Sequence, residues 1–441
     1  MLQGPLPIPP PSIFEYDVLN NMLTREISPD LFCNMSSLYY LDLSNNNLGG
    51  IIPPCLGNSS SSLITLSLRN NSLRGIIPEM CNNNGSNLKM IDVSHNRLQE
   101  ELPQLLSNYL MLEAIVVSDN QLHDSFPSWL GSLPFFKVLM LRNNGFYGVI
   151  GVPKKDLDFS NLLVLDLSSN SFTGELPSQY IFNWNTMKSI KPNGLRYMSA
   201  TWSITFLNYY YYRNDLSYRI TMMYKGVPTY YNAIQDVFSF IDLSDNRFEG
   251  EISGLFGSLK ALYPLNFSNN MLTGCIPSSL GYLTKLESLD LSRNNLSCHI
   301  PQQLKQLGFH SSFNVSYNNL TGPIPQENQF NVFDISSFDG NPELCSDPLP
   351  KKCGNLQSSP SPFEEDHKHS NSILKKDRIS ILAGYISGLV VGVVLADIAM
   401  KRTPEWLVEM LSKKEKGKEG TKNLSSSTKL YMFMLCHDLV F

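Results

Sequence analysis

Apolar and polar positions alternate along this chain in a phrase that returns. Residues 41–53 read LDLSNNNLGGIIP and residues 289–301 read LDLSRNNLSCHIP. Both fit L-x-x-L-x-L-x-x-N-x-L-x-G-x-I-P, which begins at Leu38 in the earlier copy. The asparagine of the phrase falls at Asn21, Asn46, Asn71, Asn96, Asn120, Asn144 and Asn170, then at Asn246, Asn270, Asn294 and Asn318. Steps are 24 to 26 residues within each group and 76 between the groups. In each copy the alternation around Leu41-Asp42-Leu43 predicts a short strand with one face buried. Leu48 and Ile52 are placed to return to the same core on the far side of the coil. Asn46 stands where the chain leaves the strand, and its amide can both donate to and accept from backbone groups. Stacked copies would so satisfy polar groups that a tight coil otherwise buries unpaired. Gly50 allows a backbone conformation that a side chain would obstruct, and Pro53 suits an extended outer segment that needs no donor. No coil can bury its own apolar face, so stability must come from stacking. Strands about 4.8 Å apart would make the stack roughly 50 Å long.

A period in the twenties with this consensus resembles the leucine-rich-repeat solenoids. The resemblance implies an α/β solenoid, a right-handed superhelix carrying one short parallel β-strand per repeat. Between the two strand leucines the side chain would face the concave surface. That position is aspartate at Asp17, Asp42, Asp92, Asp166, Asp242 and Asp290, a regularity that reads as scaffold. Ser67, Val116 and Met140 break it, and Arg69, Asp119, Arg142 and Asn143 lie beside the breaks. These seven are candidate ligand contacts, drift on a solvated surface being the competing explanation.

Between the groups, about 52 residues exceed one period, roughly 183–236, and their composition changes. Tyrosine is dense there, from Tyr197 through Tyr209–Tyr212 to Tyr231. SYRITMMYKG predicts a strand. Tyrosine gives rigid amphipathic contact area typical of binding surfaces, so Tyr218, Tyr224 and Lys225 join the candidates. The other reading of this island is a spacer folded against the solenoid.

Composition narrows the function. A formal net charge of −5 over 441 residues argues against a nucleic-acid partner. Eight cysteines are scattered rather than grouped as metal ligands. Cys345 and Cys353, just past the last repeat, suit a bonded cap over an exposed core end, and Cys275 and Cys298 stand one coil apart. Sequons at Asn34, Asn58, Asn70, Asn84, Asn266, Asn295, Asn314 and Asn319 point to the same oxidising compartment. Of these, Asn70, Asn266 and Asn314 fall on the strand face, where a glycan would obstruct a ligand. Residues 379–400, ISILAGYISGLVVGVVLADIAM, are apolar and long enough to span a bilayer as a helix. Gly384, Gly388 and Gly392 share one face of that helix, the small-residue pattern through which a second helix packs closely. Asp397 marks the inner boundary of the span. Only residues 401–441 follow it, too few for a kinase. The seven histidines form no HExxH and GxSxG is absent, so no enzymatic activity, cofactor or metal is expected.

The whole order carries a sharper resemblance. Repeats fill 1–182, the island 183–236, four repeats 237–333, the cysteine cap 334–357 and a juxtamembrane linker 358–378. The transmembrane helix and a short cytoplasmic tail containing TPEWLVEM complete it. The IDLSDNRFEGEI restart and PEWLVEM are its clearest marks. This arrangement resembles plant leucine-rich-repeat receptor-like proteins, the kinase-lacking class that contains fungal-resistance and elicitor receptors. It implies a single-pass type I protein of the plasma membrane with its repeats outside. It also implies an extracellular ligand held by repeats and island. Signalling would pass to an adaptor leucine-rich-repeat receptor kinase and a co-receptor kinase through the membrane helix and C-terminal repeats. The opening MLQGPLPIPPPS lies inside a repeat, without signal peptide or N-terminal cap, and Arg25, Glu100, Asp124 and Cys298 occupy glycine positions. Both features suggest a truncated or decaying member. Alternatives are a non-signalling decoy, a developmental receptor component, or a soluble inhibitor of hydrolytic enzymes, which the apolar span disfavours.

Overall fold

The structure is a computed structural model that describes residues 1–353 apart from 34, 59–61, 80–86, 191–195, 207–209, 225 and 309–311. The expected membrane span, its glycine face at Gly384, Gly388 and Gly392, the linker and the tail lie outside the described residues. So do Asn34, Asn84 and Lys225. No helix among the described residues is long and apolar enough to cross a membrane.

Each phrase contributes one inner strand, and eleven of them form one parallel sheet in chain order. It runs from Glu15–Asp17 through Tyr40–Asp42, Thr65–Ser67, Met90–Asp92, Ala114–Val116, Val138–Met140 and Val164–Asp166 to Ser239–Asp242, Leu262–Asn266, Ser288–Asp290 and Ser312–Asn314. Position-five residues sit side by side throughout: Asp17 faces Asp42, Asp42 faces Ser67, Val116 faces Met140, and Asp166 faces Asp242. Leu41, Leu43, Leu48 and Ile52 are all buried in one continuous core.

The asparagine column holds the stack together as its chemistry suggests. Asn96 Nδ2 donates to the carbonyls of Leu68 at 3.1 Å, Val93 at 3.0 Å and Ser94 at 3.1 Å. Its Oδ1 accepts from the Leu73 amide of the preceding coil at 3.0 Å. Every ladder asparagine is thus bonded to its own turn and to the coil before it. A further rung stands beyond the last registered copy. Asn341 accepts from Leu320 N–H at 3.0 Å and donates to Val315 O at 3.0 Å. One more residue separates Asn341 from Leu344 than separates Asn46 from Leu48, which hides this rung from the sequence pattern. At the other end, Gln3–Gly4 pairs in parallel with Met22–Leu23, and Leu6 is buried, so the opening residues supply the outer half of a preceding coil.

The insertion does not interrupt the stack. Phe172 N–H donates to Asn246 Oδ1 at 3.0 Å and Asn246 donates to Leu167 O at 3.0 Å, across more than 70 residues of chain. Phe146, Phe172 and Phe248 replace leucine in successive coils and stack at 6.3 and 6.2 Å. The core therefore passes straight through the point of insertion.

Gly50 shows why its column favours glycine. Its φ is +78°, and an added Cβ would lie 2.6 Å from Glu26 Cγ. Arg25, Glu100 and Cys298 adopt the same left-handed backbone, at φ 76°, 67° and 68°, without that freedom. Asp124 avoids it; its carboxylate instead accepts from the amides of Ser125 at 2.6 Å and Leu102 at 3.2 Å. Disulfides join Cys345 to Cys353 and Cys275 to Cys298, with Cα atoms 5.0 and 5.3 Å apart. A third joins Cys33 to Cys55, 22 residues apart, a bond the sequence analysis does not anticipate although its spacing is that of one coil.

Candidate functional site

The island folds into two antiparallel hairpins, Ser199–Phe206 with Tyr210–Ser217 and Ile220–Tyr224 with Val227–Tyr231. The predicted SYRITMMYKG strand is the first strand of the second hairpin. Alternate residues Tyr218, Ile220 and Met222 are almost fully buried. They pack with Met198, Ala200 and Ile234 against Met90, Ala114, Val116, Val138, Met140 and Val164 of the solenoid strands. Burying each large apolar side chain stabilises this contact by on the order of 2 kcal/mol.

This placement corrects one expectation. Val116 and Met140 do not face open solvent; they are the floor on which the island rests, and Tyr218 is buried against that floor. The column is apolar at these two coils, where Tyr218, Ile220 and Met222 settle, while the flanking and equally buried Asp92 and Asp166 keep carboxylates that accept from Ser94 and Ser168. Here the spacer reading describes the island's inner face. Its outer face remains accessible at Tyr197, Val227 and Tyr230.

Polar contacts surround that apolar seat. Arg69 Nη2 donates to Thr221 Oγ1 at 2.7 Å, and its guanidinium lies 4.9 Å from the centre of the Tyr230 ring. Arg219 approaches Asp42 Oδ2 at 3.8 Å, where Tyr40 OH also donates at 2.9 Å. Glu113 pairs with Lys137 at 2.7 Å and Lys89 at 3.6 Å. Burial, then the Glu113 charge, pushes the Tyr218 hydroxyl far above its usual range. Ser67 lines the narrow seam between the strand face and Leu216–Arg219. Asp119 accepts from Arg142 at 3.0 Å and Asn143 at 2.8 Å, with His95 Nδ1 at 3.3 Å. Burial lowers the His95 pKa while Asp119 opposes that effect. Thus Asp119, Arg142 and Asn143 form one cluster, and Arg69 belongs to the island contact. Tyr224 ends its strand, and its side chain is outside the described part.

Past the island's edge the strand face opens into a cleft of about 420 Å³, bordered by Met223 and Gly226 on the island and reaching from Arg142 to Asn314. Its floor is the continued position-five column, Asp242, Asn266, Asp290 and Asn314. Asn266 donates to Asp242 Oδ2 at 3.1 Å and Asn314 to Asp290 Oδ2 at 3.4 Å. The other oxygen of each aspartate accepts from a serine two residues on: Ser244 Oγ reaches Asp242 and Ser292 Oγ reaches Asp290, both at 2.6 Å. Asp42 and Ser44 form the same pair. Burial, reinforced by Asp166, raises the Asp242 pKa, and burial raises that of Asp290. A ligand here would meet a hydrogen-bonding floor, acceptor-rich and partly desolvated. In the sequence these aspartates read as scaffold, and Asn266 and Asn314 as sequons. The unbroken column past the island was the available signal. Of the other sequons, Asn70, Asn295 and Asn319 are exposed, and Asn58 ends a short helix with its side chain undescribed.

Comparison with known proteins agrees with this architecture. Leucine-rich-repeat family models match residues 240–296, described as "Leucine rich repeat", and residues 37–59, 62–84, 87–109 and 161–180. Receptor-like protein 47 of Arabidopsis thaliana is 44% identical over 308 residues, covering 70% of this chain and 38% of the relative. Receptor like protein 27 of the same plant is 45% identical over 316 residues, 71% of this chain and 37% of the relative. This chain therefore spans less than two-fifths of these curated relatives. Among solved structures, the plant peptide hormone receptor RGFR1 in complex with RGF2 superposes with a TM-score of 0.60 at 25% identity, covering 78% of this chain and 46% of that one. A plant ice-binding protein shares the fold, with a TM-score of 0.51 at 24% identity over 73% of this chain and 84% of that one.

Proposed function

We infer that this chain, similar to the plant leucine-rich-repeat receptor-like proteins, works as a cell-surface receptor-like protein that binds an extracellular ligand. The observation that carries this reading is the cleft where the island edge meets the part of the position-five column that the island leaves uncovered. An inserted segment leaves the repeat core intact, covers half of the strand face and borders a recess on the other half. Such an arrangement costs stability in no evident way and presents chemistry that the repeats alone lack. A peptide, a protein elicitor or a cell-wall-derived molecule would engage the Asp242–Asn314 floor and the island's Met223–Gly226 edge. The solved relative bound to a peptide hormone supports a peptide first.

Output would pass through the 379–400 span. Its Gly384, Gly388 and Gly392 face would pack against the helix of an adaptor receptor kinase, a co-receptor kinase joining when ligand arrives. The protein would sit in the plasma membrane with its repeats outside, in a defence role. Asn70, exposed in the bend past the Thr65–Ser67 strand rather than on the strand as its sequence position suggests, joins exposed Asn295 and Asn319 as a suitable glycan carrier, since a glycan on Asn266 or Asn314 would fill the cleft.

The test is expression of the tagged full chain in leaf cells, with surface biotinylation and recovery of receptor kinases by co-precipitation. We expect surface labelling and kinase recovery that falls several-fold in a Gly384→Leu/Gly388→Leu double variant. Ser288→Arg, which fills the cleft, should leave kinase recovery intact and abolish elicitor-dependent co-receptor recruitment. Surface delivery with no kinase recovered would favour the decoy reading.

A further inference from the structure

In the later coils the position-five side chains bond to one another along the column. Asp242 and Asp290 each turn one oxygen toward the serine of their own turn and the other toward the amide of Asn266 or Asn314 in the following coil. One coil earlier that amide is missing. Asp166 Oδ1 accepts from Ser168 Oγ at 2.6 Å, but the residue opposite Asp166 on the next strand is Asp242, a second carboxyl group. Asp166 Oδ2 has no hydrogen-bond partner among the described residues. Asp166 is 0% exposed and Asp242 1%.

Two aspartates also stand side by side at Asp17 and Asp42, in different surroundings. There Tyr40 OH donates to Asp42 Oδ2 at 2.9 Å and Arg219 approaches the same oxygen at 3.8 Å. Around Asp166 and Asp242 the charges are arranged otherwise. Arg142, in the preceding coil, favours an ionised Asp166, but its Nη2 lies 3.0 Å from both oxygens of Asp119, whose own charge opposes the effect. Asp245, on the turn past Asp242, bonds to Asn269 and, at 3.3 Å, to Ser169. Asp290, two strands on, is occupied by Ser292 and Asn314. The island contributes Met223 and Gly226 to the cleft that Asp242 lines.

Neighbouring strands lie about 4.8 Å apart, and two buried carboxylates at that spacing resist being ionised together. Burial raises the pKa of both, and the Asp166 charge raises that of Asp242 further. We propose that Asp166 and Asp242 share one proton, which makes the hydrogen bond that an asparagine makes at the later coils. With the proton in place, one carboxyl donates to the other and the pair carries a single negative charge. Rising pH passes the proton to hydroxide, giving water and two carboxylates that repel each other. Asp166 belongs to the last coil before the island and Asp242 to the first coil after it. The proton is therefore a pH-sensitive clasp between the two repeat groups, placed next to the island's seat at Val164 and Met140. It does not depend on the receptor reading, because it follows from strand register, burial and the unpartnered oxygen.

The test is hydrogen exchange on the purified full chain in detergent micelles, read as protection factors for segments 163–167 and 239–243 at pH 5.5 and pH 8.0. Both folded-state pKa values lie above the unfolded one, so the stabilisation is present at low pH and is lost as pH rises. Protection in both segments should fall at least tenfold between the two pH values. Asp166→Asn places an amide donor where the proton was, and its protection should change less than threefold over the same range. Asp242→Asn, which supplies the amide from the other strand, should flatten the profile in the same way if Asp166→Asn fails to fold. Protection in the unaltered chain that is the same at both pH values overturns the proposal. So does a tenfold fall that persists in the asparagine variants.

Discussion

The three consecutive asparagines Asn45, Asn46 and Asn47 are one letter repeated, yet the structure gives them unequal work. Asn46 Nδ2 donates to Val18 O at 3.0 Å, Leu43 O at 3.1 Å and Ser44 O at 3.1 Å, while its Oδ1 accepts from Leu23 N–H at 3.0 Å. In Asn46→Ala the carbonyls keep other donors: Asn21 for Val18, Asn71 for Leu43 and the Asn20 amide for Ser44. The Leu23 amide, in a fully buried residue, loses its acceptor. An orphaned buried N–H costs about 1–3 kcal/mol, and the lost net value of the donated bonds adds about 1 kcal/mol. The expected destabilisation is therefore about 3 kcal/mol. Asn45, at φ 53°, trades side-chain bonds with Asn20 and Asn70 at the surface, and alanine there costs about 1 kcal/mol for the left-handed backbone. Asn47 is exposed on the outer strand, and its alanine variant should stay within about 0.5 kcal/mol. Hydrogen exchange resolved to the 22–24 segment reads the difference directly. The Leu23 amide should exchange about 100-fold faster in Asn46→Ala and unchanged in Asn47→Ala. Equal losses in all three variants would refute the reasoning and leave leucine burial as the sole source of stacking stability.

Other perturbations follow from the same geometry. Arg25→Gly and Glu100→Gly relieve left-handed backbone at non-glycine residues, and each should raise stability by about 0.5–1 kcal/mol in urea unfolding. Burial pushes Asp92 up to about 6 although Ser94 bonds oppose the shift. Because the folded-state pKa lies above the unfolded one, near 4, this group's stabilisation is full below pH 4 and is lost as pH rises through 6. Asp92→Asn, which can keep the serine bond as Asn266 does with Ser268 at 3.0 Å, should remove about 2 kcal/mol of pH dependence between unfolding measured at pH 4 and at pH 7. Met140→Asp restores the prevailing residue of its column but buries a carboxylate beneath the island. Amide protection across Tyr218–Met222 should then fall at least tenfold, while protection of the distant Ser288–Asp290 strand stays as it was.

The repeat was legible because everything it specifies is local or reaches only the next coil. The leucine spacing sets the strands, the asparagine sets the bond to the coil before it, and the glycine sets one turn. Register, core and the alignment of position five all follow by repetition. The rung at Asn341 was missed for the complementary reason, since one added residue breaks the spacing while the hydrogen bonds survive it. The island carries no period. Nothing in its sequence states that Tyr218, Ile220 and Met222 will settle on Val116 and Met140, because that contact joins segments about 80 to 100 residues apart. Read as sequence, the apolar breaks in the aspartate column looked like an open ligand surface. Tertiary packing makes them the island's seat, leaves Asn266, Asp290 and Asn314 half-buried on the floor of an open cleft, and gathers Tyr231, Phe238, Tyr263 and Glu287 around a second recess. Periodic patterning determines neighbours one coil away; the placement of an aperiodic insert is decided only by the surface it can bury.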